Sequence, residues 1–278
     1  MLIEAGTTRV AAGLARRKHV KRLTFPRALV LLAIILALFA AALELQTSWL
    51  QSRLFSAWAG ELGYTVEPGA AAVLRHPHSG PYDRRLGHSY LSVFADRLKA
   101  RGFTIESQAR VSPAMAQLMD WGIPPAYREK DQAGLEIRDR QGRLLWDSRF
   151  PRHVYGSFDE VPPLVVSTLL FIENREVLDA RYPYNNPALE WDRLASAAFN
   201  LGLSKLGARR EVAGGSTLAT QLEKMRHSPG GRTASVAEKG RQMLAASIRA
   251  YADGPVTTDA RRRVVADYLN SIPLAAIR

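Results

Sequence analysis

Between Ala28 and Leu43 the chain carries no charged or strongly polar side chain, while Arg9, Arg16, Arg17, Lys18, Lys21, Arg22 and Arg27 crowd the segment ahead of it. No other feature restricts the fold as strongly. Such a run must leave water, and its flanking cations must not. A helix of this length with snorkelling flanks just spans a bilayer, and the positive flank then stays in the cytoplasm. A buried core helix and a cleaved signal peptide are the ordinary alternatives, because the run is short and Ala40, Ala41 and Ala42 offer small residues to a peptidase. The long basic block favours a retained anchor. So does the direct continuation of 44–58 as an amphipathic helix, with Leu50, Leu54 and Trp58 recurring every four residues. Trp49 and Trp58 suit a membrane–water interface.

The expected organisation is a basic cytoplasmic segment over 1–27, a transmembrane helix over 28–46, a membrane-proximal mixed α/β region over 47–150 and a helical domain over 151–278. The protein then crosses the inner membrane once, with its bulk in the periplasm. The formal net charge of +12 admits nucleic acid, anionic lipid or a phosphorylated substrate as partner. Much of that excess sits in the anchor, so no nucleic-acid partner is expected. A hydrophobic content of 47% suffices for a sizeable core. The chain has no cysteine, which excludes a disulfide scaffold and thiolate metal sites. Its histidines are scattered apart from His76 and His78, a proline-broken pair that reads as a surface feature, and no histidine-bound metal is expected.

Past the anchor, 60–82 is rich in glycine and proline and reads as a linker. Leu91, Phe94 and Leu98 mark one face of a helix over 89–102 that Gly102 ends, and 103–107 alternates like a strand. The stretch 136–146 predicts a hairpin turning over 139–142. From Pro162 the pattern is helical: 163–173, 187–203 with Leu189, Leu194, Ala198 and Leu201 inward, 217–226, 235–251 and 259–269. Arg261, Arg262 and Arg263 read as a solvated helix face. A succession of helices without strands implies an all-α lobe over the second half of the chain, preceded by a small mixed one.

The densest chemistry lies in Gly214, Gly215, Ser216, Thr217, Leu218, Ala219, Thr220, Gln221, Leu222, Glu223 and Lys224. The glycines permit torsions and close approaches that a β-carbon forbids, and Ser216 or Thr217 can cap the helix that follows. First-turn amides there face an anion, and helical spacing puts Thr217, Gln221 and Lys224 on one face. Alone, this is an ordinary capped turn with a solvated lysine. Its neighbours change that reading. Glu173, Asn174, Arg175 and Glu176 follow the apolar run 164–172, and Arg232, Lys239, Gln242, Tyr268, Leu269 and Asn270 come after.

In this order the segments resemble the family 51 glycosyltransferases, the peptidoglycan glycosyltransferase domain of bifunctional penicillin-binding proteins and monofunctional transglycosylases. The resemblance covers roughly residues 136 to 278. Glu173 and Arg175 fit a Glu-Asp-x-x-Phe motif that here lacks its aspartate and phenylalanine. Gly214, Gly215, Ser216, Thr217, Gln221, Leu222 and Lys224 match Gly-Gly-Ser-Thr-x-Thr-Gln-Gln-Leu-x-Lys-Asn, with Thr220 and Met225 in place of a glutamine and the asparagine. In a third motif, Arg-Lys-x-x-Glu, counting from Lys239 places Gln242 at the glutamate; a shifted register would use Glu238. Arg232 matches a family arginine, and Tyr268, Leu269 and Asn270 the Tyr-Leu-Asn signature. The chain is thus similar to a divergent member.

The resemblance implies a mainly α, lysozyme-like helical lobe and the polymerisation of a lipid-linked disaccharide pyrophosphate with inversion at the anomeric carbon. Glu173 is then the base, and Gln242 stands at the second catalytic position. Arg175, Ser216, Thr217, Gln221, Lys224, Arg232 and Lys239 are the substrate-binding set. It also implies a divalent cation such as magnesium bridging the phosphates, and as partners the lipid-linked peptidoglycan precursor, the glycan strand, the membrane and other cell-wall synthesis proteins. Glu173, following an apolar segment, is expected to be partly desolvated and so a better base. An amide at 242 neither accepts a proton at neutral pH nor offers a metal a charge. Two classes of function therefore stand: a membrane-anchored glycosyltransferase, or a degenerate envelope protein that binds precursor or glycan or scaffolds a synthase. A lytic enzyme fits less well, having no need for so many cations. Ser-x-x-Lys is absent, so no penicillin-binding transpeptidase is encoded.

Overall fold

A computed structural model describes residues 25–191 and 216–272; helices and strands are numbered among these. The described chain is mainly helical, and the molecule divides into two compact units, Met1–Ala42 and Leu43–Arg278. Helix α1 (Phe25–Thr47) contains the apolar run. Its stretch Leu29–Thr47, 19 residues of mean hydropathy 2.5, is long and apolar enough to span a membrane. At about 1.5 Å per residue it approaches the ~30 Å of a bilayer's hydrocarbon core. Of the basic block, Arg9, Arg16, Arg17, Lys18, Lys21 and Arg22 lie outside the described residues.

The amphipathic helix expected over 44–58 is not continuous. Ser48 is left-handed (φ 54°, ψ 27°), and α2 (Trp49–Gly60) begins after it. The Glu44 carboxylate accepts from the amides of Leu50 (2.7 Å) and Gln51 (2.9 Å), so two donors that open α2 are satisfied from the preceding helix. Apolar spacing is blind to such a break, and Leu50 and Leu54 are exposed.

The expected linker 60–82 contains β1 (Tyr64–Pro68), which pairs antiparallel with β2 (Ser107–Val111), Tyr64 opposite Val111 and Pro68 opposite Ser107. The strand expected at 103–107 is thus displaced: β1 selects its partners from Ser107 onward, while Phe103 and Ile105 are exposed. Between the strands lie α3 (Pro81–Arg85) and α4 (Leu91–Ala100), and Gly102 at φ 83° stops α4 as its position predicts. Helix α5 (Pro113–Asp120) is capped by the Ser112 hydroxyl, which accepts from the Met115 amide. The hairpin forms as expected from β3 (Glu136–Arg138) and β4 (Leu144–Asp147).

The second half follows its periodicity: α6 (Pro163–Glu173), α7 (Leu218–His227), α8 (Val236–Ala250) and α9 (Thr258–Ser271). The helix expected from Pro187 does not start there. Asn186 Oδ1 accepts from the Ala188 amide at 2.9 Å and holds 187–190 as a turn and irregular chain; Trp191 is helical. The remainder of that helix, with Leu194, Ala198 and Leu201, lies outside the described residues, as do Gly214 and Gly215.

Helix α8 has apolar contacts on two sides. On one, Ala245 and Ile248 pack with Ala59 of α2 and with Met115 and Leu118 of α5. On the other, Ala246 meets Ala219 of α7 and Ala188. A further cluster joins Leu218 of α7 with Val265, Tyr268 and Leu269 of α9, Val161 and Val177, and the half-buried Val165, Val166, Leu169 and Leu170 of α6 lie against it. This packing brings the end of α6 beside α7.

Candidate active site

Glu173 is the last residue of α6, and the buried Asn174 (φ −162°) turns the chain out of the helix. The carboxylate is half-buried where α7 passes, and Gln221 Nε2 donates to its Oε2 at 2.8 Å. The other end of the same amide, Gln221 Oε1, accepts from the Tyr268 hydroxyl at 3.2 Å. One side chain thereby ties together α6, α7 and α9. Burial, and next the charge of Glu173, push the Tyr268 hydroxyl up to about 12. It stays protonated at neutral pH and keeps donating.

The start of α7 has a reciprocal cap. Thr217 Oγ1 accepts from the Thr220 amide (3.2 Å), and Thr220 Oγ1 from the Thr217 amide (2.9 Å). Thr220, standing where the family motif has glutamine, therefore completes the turn. Lys239, one turn into α8, donates from Nζ to Ser216 Oγ (2.7 Å) and Thr220 Oγ1 (3.4 Å). Burial, and then the charge of Lys224, lower the Lys239 pKa. Lys239 thus sits beside the start of α7 and within electrostatic reach of Lys224 in the last turn of that helix, a combination that attracts anions.

A cavity of about 410 Å³ opens at Glu173, lined by Arg175, Glu176, Glu190 and Trp191 and closed on another side by Leu45 and Gln46. Glu173, Glu176 and Glu190 bring three carboxylates to this cavity, but among the described residues the ligand atoms close enough to share an ion are those of Asp83, Glu129 and His227. Arg175 bends back on α6, its Nε donating to the Phe171 carbonyl (3.4 Å) and its guanidinium 4.2 Å from the Phe171 ring.

The expected residues do not all meet. Thr217 is buried as a cap rather than sharing an open face with Gln221 and Lys224. Lys224, Lys239 and Arg232 are not among the residues lining the Glu173 cavity, and Arg232 is exposed on the turn 228–233. Gln242 is 4% exposed and lines a different cavity, with Glu238, Arg241, His227 and Trp121. Its Nε2 donates to Ser228 Oγ (2.8 Å) and Thr233 Oγ1 (3.0 Å), so the amide grips both ends of the turn that carries Arg232. Sequence reading missed the tasks of Tyr268 and Thr220, both within matched motifs, and it missed Gln46, Glu190 and Trp191. No spacing rule connects those three.

Residues 144–276 match the Transglycosylase family model. A transglycosylase domain therefore occupies this part of the chain, running from β4 through α9 and including Glu173, Gln221, Lys239 and Tyr268. It marks a glycosyltransferase-type enzyme of cell-wall character. No curated protein and no solved structure matches the chain.

On the opposite side of α7 from Gln221, a second polar cluster gathers Asp83, Glu129 and His227. His227 donates from Nδ1 to Asp83 Oδ1 (3.0 Å) and from Nε2 to Glu129 Oε1 (3.2 Å). Burial alone would lower the imidazole, but hydrogen bonds to these carboxylates more than reverse it, and His227 sits at about 9. Arg249 forms an ion pair with Glu223 (Nε to Oε1 2.9 Å), and Arg226 reaches Asp131 (3.0 Å) and Glu129 (3.4 Å). An imidazolium and two guanidiniums supply the positive charge here, and the cluster ties 80–83 and 129–131 to α7.

Proposed function

We propose that the protein is a membrane-anchored peptidoglycan glycosyltransferase of family 51, with a lysozyme-like helical lobe, that polymerises a lipid-linked disaccharide pyrophosphate. The observation that carries this is the Glu173–Gln221–Tyr268 chain of hydrogen bonds, which unites three motifs far apart in sequence on a carboxylate that lines a cavity. In this reading Glu173 is the base toward the acceptor hydroxyl, and the Gln221 amide fixes which carboxylate oxygen points into the cavity. Lys239 and Lys224, with Ser216 and the α7 N-terminus, hold the pyrophosphate and favour the charge that develops on the leaving oxygen. Arg232 and Arg175 supply further cations. A divalent cation on the phosphates would neutralise part of their charge. Leu29–Thr47 anchors the protein in the inner membrane, with the amino terminus cytoplasmic and the domain periplasmic. Other cell-wall synthesis proteins are its natural neighbours.

A second reading is a degenerate domain that binds precursor or glycan without turnover. The placement of Gln242 favours it, because the residue at the second catalytic position is buried in α8 against the turn 228–233 and lines another cavity. In the enzyme reading Gln242 acts instead through Arg232. One assay separates the two: full-length protein in detergent with labelled lipid-linked disaccharide pyrophosphate and magnesium, scored for polymer and for binding. Polymer supports the enzyme; binding without polymer overturns it. Gln242→Glu sharpens the result, a gain in polymer marking a weakened enzyme and a loss marking the amide as the working group.

A further inference from the structure

Helix α4 has no buried residue, and Ala95 alone among its ten is half-buried. A helix this short is marginal in water by itself, below the ~12–15 residues at which isolated helices begin to hold. Ahead of it the Ser89 hydroxyl donates to the His78 carbonyl, and at its end the Phe103 amide closes the last turn by donating to Leu98 O. Its apolar stripe is open to solvent: Leu91 is 39% exposed, Phe94 52% and Leu98 49%. Phe103 and Ile105, just beyond the Gly102 stop, are exposed as well.

The charges indicate what covers the stripe. At about 100° per residue, Arg97 and Lys99 project on either side of the Leu91–Phe94–Leu98 line, and the acidic Asp96 falls on the far face. Arg101 follows at the end of the helix. An apolar stripe bordered on both flanks by long cationic side chains is the pattern of a helix lying in a bilayer interface, where the stems bury and the charged ends reach phosphate. Protein interfaces are instead depleted of lysine at such positions.

We propose that α4, with Phe103 and Ile105, rests on an anionic lipid bilayer, Leu91, Phe94 and Leu98 immersed and Arg97, Lys99 and Arg101 at the phosphates. These residues lie outside the matched 144–276, and the proposal does not depend on the transglycosylase reading.

The absence of cysteine makes the test direct. Single cysteines at Phe94, Leu98 and Asp96 in the full chain carry an environment-sensitive fluorophore, and the protein is reconstituted into vesicles of phosphatidylcholine with or without phosphatidylglycerol. With phosphatidylglycerol, labels at 94 and 98 should be shielded from an aqueous quencher several-fold better than the label at 96. Reversing Arg97, Lys99 and Arg101 to Glu together should remove that shielding; all three are surface side chains, and circular dichroism checks the fold. Equal quenching at 94, 96 and 98 in anionic vesicles overturns the proposal. So does shielding that survives the charge reversal or is as strong in vesicles of phosphatidylcholine alone, since anionic lipid is then not what covers the helix.

Discussion

Gln221 and Arg226 stand on the same helix, and their surroundings differ in nearly every physical respect. Gln221 is half-buried and makes two neutral or singly charged hydrogen bonds, from Tyr268 and to Glu173, which lines an open cavity. Arg226 is buried among Glu129, Asp131, Asp267 and the Ser271 hydroxyl, with the Tyr82 ring 4.6 Å away. Both sides carry ionisable groups. On the Arg226 side each of the cations Arg226, His227 and Arg249 is met by two or more carboxylates, and the result is a clamp between the segments around 83 and 129–131 and the helix α7. On the Gln221 side, Lys239 donates to hydroxyls at the start of α7 rather than to carboxylates and feels the charge of Lys224, and a cation held in this way favours an incoming anion. Whether a polar face binds or merely holds depends on whether its charges are already neutralised by the protein.

The largest expected effect breaks the Gln221 side chemically. Glu173→Gln keeps an oxygen for Gln221 to donate to and removes the base, so polymerisation should fall roughly 10²–10⁴-fold. Binding of the lipid-linked precursor and the thermal midpoint should stay close to wild type. Polymer yield unchanged in the variant would take Glu173 out of the chemistry.

The matching change on the other side is one of stability. Glu129→Ala leaves the buried charges of Arg226, Arg249 and His227 without their shared partner and should cost about 3–5 kcal/mol, read by chemical denaturation. Gln221→Ala removes ordinary hydrogen bonds and should cost only about 1 kcal/mol while lowering activity. Equal losses from the two would erase the distinction between the faces.

Acid and alkali should act through the clamp. Burial opposes ionisation of Glu129, but Arg249, His227 and Arg226 outweigh it and hold the carboxylate down at about 2 against an ordinary 4.5. Its contribution is complete above pH 4.5 and is lost as the pH falls toward 2. His227 runs the other way, at about 9 against 6.5: its contribution is complete below 6.5 and is lost as the pH rises through 9. Unfolding midpoints should therefore be highest between these limits, and His227→Gln should flatten the alkaline decline. An unchanged alkaline decline would locate that sensitivity elsewhere. The smallest effect belongs to Thr217→Ala, which removes one half of the α7 cap and should cost about 1 kcal/mol in a melting curve. A loss several times larger would mean that Thr217 supports more than its own helix.

Helices α6 to α9 were legible because each carries its own start signal and apolar stripe: Pro163, Thr217 and Ser235 mark starts that the structure keeps within a residue. The break at Ser48 was not, since its cause is the Glu44 side chain folding onto the next helix. Nor was β1, whose exposed residues resemble a linker until β2 pairs with them. Motif order singled out Glu173, Gln221, Lys239 and Tyr268. It could not tell that Gln242 grips the turn below Arg232, because Ser228, Thr233 and Gln242 meet only when the chain doubles back.

By itself the sequence determined the apolar segment, the helical second half and the residue types from which a site can be built, since these follow from local pattern and from side-chain chemistry. The tertiary structure alone decided which of those residues meet. Glu173 gained Gln221 as partner through the packing of α6 against α7, and His227 became a buried cation because chain from positions 83 and 129 closes on it. A carboxylate or an imidazole has the same formula in both settings. Distance, burial and neighbouring charge set its task, and those exist only once remote segments are brought together.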